Sequence, residues 1–276
     1  LHFIQSYPFI IKEKLLDLQL KGKAALITGG NRGIGAAIAT ELAREGVDLC
    51  LVARDKDALQ SKAAELAAAF NVRVVTVAAD LRLAPAADEA IAHAVQTFGR
   101  LDILVNNAGA TARGDFFALS EQDWDDGFGL KFRACVRMTR AAWPHLRDGG
   151  GSVINIIGVG GWTAESEFTI GGSVNAALLH FTKAMAQVGQ QDGVRVNAIN
   201  PGRIATERLT RNIQRIAGMR DISVEAAGNE LLQACHIKRF GEPGEIGQVA
   251  AFLASQRASF MQGSLVDVDG GEKHAM

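Results

Sequence analysis

Residues 23–46 read KAALITGGNRGIGAAIATELAREG. A short apolar run is followed by a turn broken by glycines, and then by apolar residues at helical spacing. That order predicts a strand, a tight turn and a helix. Within the turn, Gly29 has the freedom for the sharp reversal. Gly33 lets the backbone approach an anion, and Gly35 permits close helix–strand contact. The start of the helix then presents free N–H groups and the positive end of its dipole. A glycine cluster alone is a weak signal. Between a strand and a helix it predicts a dinucleotide pyrophosphate site.

The pattern repeats outward. DLCLVA, RVVTVAA, LDILVNN, SVINII and VRVNAIN are strand-like runs separated by helical stretches, including a long one around 121–147 and another over about 173–190. GSLVDVDGG adds a seventh strand. Alternating βα units predict an α/β, doubly wound, mostly parallel seven-stranded sheet with right-handed crossovers, a Rossmann-type single domain over residues 21–276. Ligands are expected at the carboxyl ends of the strands. Residues 1–20 read as an N-terminal extension, a leader or an arm. Lys12, Glu13 and Lys14 interrupt its apolar patches, which argues against a secretory signal.

Composition excludes other classes. With 48% hydrophobic and 21% charged residues and a net charge of −1, the chain carries no electrostatic signature for nucleic acid or an anionic membrane surface. No apolar run reaches spanning length, so no membrane partner is expected. Cys50, Cys135 and Cys235 form no metal-type or redox pair, and no metal site is expected. Buried thiols in a reducing compartment, the cytoplasm, are the expectation.

Several motifs in order resemble the short-chain dehydrogenase/reductase family over about residues 21–272. Thr28–Gly35 (TGGNRGIG), Asn106–Gly109 (NNAG), Asn200–Gly202 (NPG), RFGEPGEI at 239–246 and VDGG at 268–271 carry the resemblance. It implies a cofactor cradle in which Gly29, Asn31, Arg32, Gly33, Ile34 and Gly35 follow the pyrophosphate and adenosine. Asp80 and Leu81 would flank the adenine, and Asn107, Ala108 and Gly109 would line the cofactor's middle. Pro201, Gly202, Ile204 and Thr206 would hold the nicotinamide end. It also implies a helical lid at about 206–236 over a small-molecule substrate, and a homodimer or homotetramer paired through the two long helices.

The second strand ends LVARD, so the family's acidic position falls on Ala53, with Arg54 next. Arg54 and Arg32 could clasp a 2′-phosphate with paired, charge-assisted bonds, although solvated surface arginines are the plainer alternative. Asp55 argues the other way. NADP is expected over NAD.

The family's catalytic set is missing. Alignment puts Gly158 at the serine, Gly171 at the tyrosine, Asn175 at the lysine and Lys131 at the asparagine. No shift of register restores the acid, because the chain has one tyrosine, Tyr7, in the extension. Lysine and asparagine have exchanged helices, so Lys131 and Asn175 are expected to meet and return one cation and one amide to the same volume. The two glycines are expected to open space for a bulky substrate. Candidate proton donors are Lys131, Glu165 and Glu167, a carboxyl held protonated in an apolar pocket being the rationale for the glutamates. Ser173 is a displaced hydroxyl or a helix cap, His180 a packing residue, and Trp162 and Phe168 a pocket wall or core. Three functions stay open: an NADP-dependent oxidoreductase with an atypical proton path, a cofactor-binding sensor or partner subunit without turnover, and a lyase, isomerase or dehalogenase on the same scaffold.

Overall fold

The computed structural model describes residues 17–272. Most of the expected extension, Tyr7 included, lies outside the described residues. Its last residues belong to the body: Leu18 and Leu20 are buried in the core, and Asp17 accepts a hydrogen bond from Arg257. The expected domain boundary at 21 is therefore a few residues late.

Seven strands, β1 (Ala24–Thr28), β2 (Asp48–Ala53), β3 (Val74–Ala78), β4 (Ile103–Asn106), β5 (Ser152–Ile156), β6 (Arg195–Pro201) and β7 (Leu265–Val268), form one sheet in the order β3-β2-β1-β4-β5-β6-β7. Every pairing is parallel. Successive side chains of a strand point to opposite faces, and β1 shows the consequence. Ala25 and Ile27 enter the core beneath α1 (Gly33–Arg44), α2 (Lys56–Phe70) and α9 (Pro243–Ala254), while Ala24 and Leu26 enter the one beneath α3 (Ala86–Phe98) and α5 (Ala134–Gly149). A strand buried on both faces must be apolar throughout, which is why AALIT is continuous rather than alternating.

The long helical stretch expected at 121–147 is continuous but changes its winding part-way. α4 (Glu121–Gly127) runs into a π turn (Phe128–Arg133) before α5 begins. Such wide turns interrupt the i→i−4 ladder and commonly re-aim a functional side chain; here the turn carries Lys131. The next helix, α6 (Thr169–Asp192), starts four residues before its expected position. The expected lid segment forms α7 (Glu207–Arg220) and α8 (Val224–Ala234), joined at Asp221 and packed through Leu209, Ile213, Ala217 and Ala227.

Candidate active site

The strand order reverses at β1, flanked by β2 on one side and β4 on the other, and the crevice at their carboxyl ends is where an open α/β sheet takes a ligand. The glycine turn fits a dinucleotide there. Gly29 and Gly33 have φ of 66° and 55°, the left-handed region. A Cβ on Gly35 would sit 2.1 Å from the Gly29 carbonyl oxygen, so any other residue would push the helix off the turn. Arg32 precedes α1 with no side-chain cap, leaving the first helical N–H groups for an anion. Asn107 locks the turn from β4, donating from Nδ2 to the carbonyls of Thr28 (2.9 Å) and Gly29 (3.2 Å). Its backbone N–H and that of Ala108 donate to the Thr28 hydroxyl, each at 2.9 Å.

Other cradle residues surround this turn. Thr206, at the root of the lid, lies 3.6 Å from where a Gly33 Cβ would be. Ile204 is buried and bridges to Gly241, and Gly202 is glycine because Asp269 and Glu272 leave no room for a side chain. Leu81 is buried, and the Asp80 carboxylate is held by Arg82 at 2.7 Å. Arg54 is exposed at the end of β2. Asp55, which argued for NAD in the sequence, is engaged elsewhere, because its side chain caps α2 by accepting from the Ala58 N–H at 3.0 Å.

The chemical half is built by α6, the π turn and the loop after β5. The exchanged residues meet. Lys131 Nζ donates to the Ile157 carbonyl at 2.7 Å and to Asn175 Oδ1 at 2.5 Å. Asn175, buried on α6, donates in turn to the Gly158 carbonyl at 3.4 Å. The lysine stem crosses the NNAG turn so closely that a Cβ on Gly109 would lie 2.9 Å from Lys131 Cδ. Burial disfavours the ammonium, the positive charge of Arg208 adds to that, and the Cys135 thiol only partly offsets them; together they push the Lys131 pKa down to about 7.

The expected open space is not there. A Cβ on Gly171 would fall 2.0 Å from the Phe168 ring, and one on Gly160 2.9 Å from it, so Phe168 fills the space that a side chain at 171 would take. Gly158 has φ of 124°, which a serine would adopt only under strain, and Asn175 Nδ2 stands 3.3 Å from its Cβ position. The pocket has been refilled by neighbours rather than emptied.

The glutamates are also corrected. Burial alone would raise the Glu165 carboxyl, but hydrogen bonds and charge from Arg113 (2.6 Å) and Arg203 (2.9 Å) outweigh it and hold it below the usual carboxylate range. It is an ionised anchor, not an acid. Glu167 is turned to the lid, paired with Arg215 at 3.0 Å. Ser173 and His180 are exposed on α6, so neither the displaced hydroxyl nor the packing histidine is found.

A family profile described as enoyl-(acyl carrier protein) reductase matches residues 29–273. The chain belongs to the short-chain dehydrogenase/reductase family. An uncharacterized oxidoreductase of Mycobacterium tuberculosis is 39% identical over 264 residues, covering 93% of this chain and 95% of the relative. Oxidoreductase UcpA of Salmonella typhimurium is 36% identical over 255 residues, covering 92% and 95%. Among solved structures, L-sorbose reductase from Gluconobacter frateurii complexed with NADPH and L-sorbose superposes with a TM-score of 0.89 at 33% identity, over 95% of this chain and 100% of that one. As a short-chain dehydrogenase/reductase, the protein carries the glycine turn between β1 and α1 and sets the Lys131–Asn175 pair and Phe168 across the crevice from it.

Sequence reading missed the role of Phe168 and the arginines around it. One signal was present: an aromatic residue at the start of a helix with glycine three positions on. Residues at i and i+3 share a helix face, so Gly171 marks room for the ring of Phe168. Arg113, 4.4 Å above that ring, comes from a loop distant in sequence and left no such signal.

Proposed function

We propose that this short-chain oxidoreductase reduces the carbonyl or polarised double bond of a small molecule with NADP(H), and that Lys131 supplies the proton. The observation that carries the proton assignment is the pair of hydrogen bonds from Lys131 Nζ to Ile157 and Asn175. A neutral amine has two N–H groups and an ammonium three. Two protein acceptors therefore leave one position on nitrogen that holds a proton in the charged form and a lone pair in the neutral form. With a pKa near neutrality, that position can give or take a proton at working pH.

Bound NADPH would supply the hydride. Gly29, Gly33 and Gly35 would seat its pyrophosphate, and exposed Arg32 and Arg54 would meet its 2′-phosphate. The NADPH complex of the Gluconobacter reductase supports that preference, as does the employment of Asp55 in capping α2. Asn175 orients the Lys131 amine, and the Phe168 ring keeps water from the side where the family's tyrosine would stand. Pairing of subunits through α5 and α6 is part of the same reading.

The test is turnover of a carbonyl and enone panel followed at the NADPH absorbance band, with wild type and Lys131→Met side by side. Loss of general acid catalysis costs about 10²–10⁴-fold in kcat, and NADPH affinity is expected to stay within about threefold, roughly 0.7 kcal/mol. Unchanged kcat in Lys131→Met removes the lysine from the proton path. Tight NADPH binding with no oxidation across the whole panel replaces the reductase with the sensor or partner-subunit reading.

A further inference from the structure

The loop that leaves β5 carries acceptors for the Lys131–Asn175 pair at one end and a salt-bridged carboxylate towards the other. At its start, the Ile157 carbonyl accepts from Lys131 Nζ and the Gly158 carbonyl from Asn175 Nδ2. Further on, Glu165 commits each oxygen to a different arginine. Oε2 accepts from Arg113 Nη1 at 2.6 Å and Oε1 from Arg203 Nη2 at 2.9 Å. Those arginines stand on the segments that follow β4 and β6, the strands on either side of β5. One side chain thus ties the loop to both of its neighbours.

The ties are themselves fixed. Arg203 Nε donates to Glu272 Oε1 at 2.9 Å, and that glutamate is only 10% exposed. The N–H of Gly114, next to Arg113, donates to the Glu167 carbonyl at 3.0 Å. From Glu165 the hold passes to the ring that closes the wall. The Glu165 carbonyl accepts the Phe168 N–H at 2.9 Å, so the two residues share one tight turn. The Arg113 guanidinium that bonds Glu165 also lies 4.4 Å from the centroid of the Phe168 ring. That ring packs on Gly160, whose Cβ position is 3.6 Å from Asn175 Nδ2. A path of contacts runs from Glu165 through Arg113, Phe168 and Gly160 to the amide that bonds Lys131.

Stability is a poor reason for such an arrangement. Partly buried ion pairs lose on desolvation much of what they gain by attraction, and apolar residues of similar volume often do as well. What they add is direction: an arginine fork donates along fixed lines, so a carboxylate held by two of them has little freedom.

We propose that Glu165 is a positioning residue of the active site, whose carboxylate, held between Arg113 and Arg203, keeps the 157–168 loop in place against the Lys131–Asn175 pair. This rests on the reading of Lys131 as the proton donor and adds the residue that keeps its surroundings dry. Without that carboxylate the loop parts from its neighbours, Phe168 leaves the glycines, and water reaches the amine.

The test reads the amine directly. The full chain, isotopically labelled at the lysine ε carbons, is titrated by NMR, with the Lys131 signal assigned by its absence from Lys131→Met. Glu165→Ala is expected to raise the amine's pKa from about 7 towards its ordinary 10.5, a gain in proton affinity of about tenfold or more, because water stabilises the ammonium. Loss of negative charge acts the other way, since removing a nearby carboxylate lowers a lysine pKa. The sign therefore separates position from charge. The other groups acting on the amine, the Arg208 charge and the Cys135 thiol, are untouched by the substitution. Glu165→Gln, which keeps the shape and one acceptor, is expected to show a smaller rise, and Arg203→Lys a smaller one than Arg203→Met. A cooperative thermal transition certifies the fold of each protein, and Glu165→Gln carries the test if the alanine variant does not fold. A pKa that stays or falls in a folded variant overturns the proposal, even where thermal stability drops, because Glu165 is then a structural tie alone. Reduction followed at the NADPH absorbance band separates the two readings. A raised pKa with no turnover, or with a rate indifferent to pH, upholds the positioning and sinks the proton assignment.

Discussion

The glycine turn and the loop-and-helix surface facing it lie at the same end of the sheet, yet they tolerate change very differently. In the turn, backbone meets backbone. Gly35 has a carbonyl oxygen 2.1 Å from its missing Cβ, and the Asn107 side chain clamps the main-chain carbonyls of the turn. Across the crevice, side chains meet side chains. There one residue can retreat if another advances: Phe168 fills what Gly171 vacates, and Lys131 and Asn175 trade helices yet still touch. A site made of backbone leaves no compensating move, whereas a site made of side chains can be rebuilt while the scaffold stays.

The sharpest way to break that contrast is Gly35→Ala. One methyl group against a fixed carbonyl is expected to cost about 3 kcal/mol or more, the upper end of overpacking. Thermal unfolding and NADPH titration should both register it. A stable, fully binding Gly35→Ala protein would mean the turn is as adaptable as the opposite wall.

The next largest effect is on pH. Reduction needs the protonated amine, so with the Lys131 pKa near 7 the rate is expected to fall as pH rises, about tenfold per unit once well above that point. Alcohol oxidation should rise through the same pH. The amine is bonded to the Asn175 amide and the Ile157 carbonyl, and the Arg208 charge and the Cys135 thiol act on it electrostatically. Burial pushes that thiol up to about 12, so it does not titrate in the window. Unfolding would not mimic the loss. The lysine pKa is depressed on folding from 10.5 to about 7, the unfolded chain binds more protons between these values, and stability therefore rises with pH across them. A flat profile, or one unaltered in Lys131→Met, would remove the amine from the chemistry.

Smallest is the repacking cycle at the tyrosine position. Gly171→Tyr alone is expected to lose about 1–3 kcal/mol by colliding with Phe168. Combined with Phe168→Ala it should recover a measurable part of that loss, a coupling visible in denaturant unfolding of the four proteins. Additive losses would show that the ring and the glycine do not share one space.

Much of this was legible in sequence because it followed local rules. β1 and the turn were readable from apolar periodicity and glycine placement, and all seven strands appear where the Val-, Ile- and Leu-rich runs lie. The Lys131–Asn175 contact was expected from the family resemblance, which aligns the two residues with positions that meet in the family. Glu165 and Glu167 misled because a carboxylate's protonation depends on neighbours that sequence does not place: Arg113, Arg203 and Arg215 come from two distant segments. Residue types also suggested an opened pocket, but whether a glycine opens a space or admits a ring is a question of packing.

By itself, the sequence determined the doubly wound sheet, the dinucleotide turn and the absence of a tyrosine acid, since each depends on residue identity at short range or on composition. Only the tertiary structure decided that the space beside Gly171 is closed by Phe168 and that both glutamates are tied to arginines. Charge and volume act through space, and chain separation says little about distance once a sheet has folded.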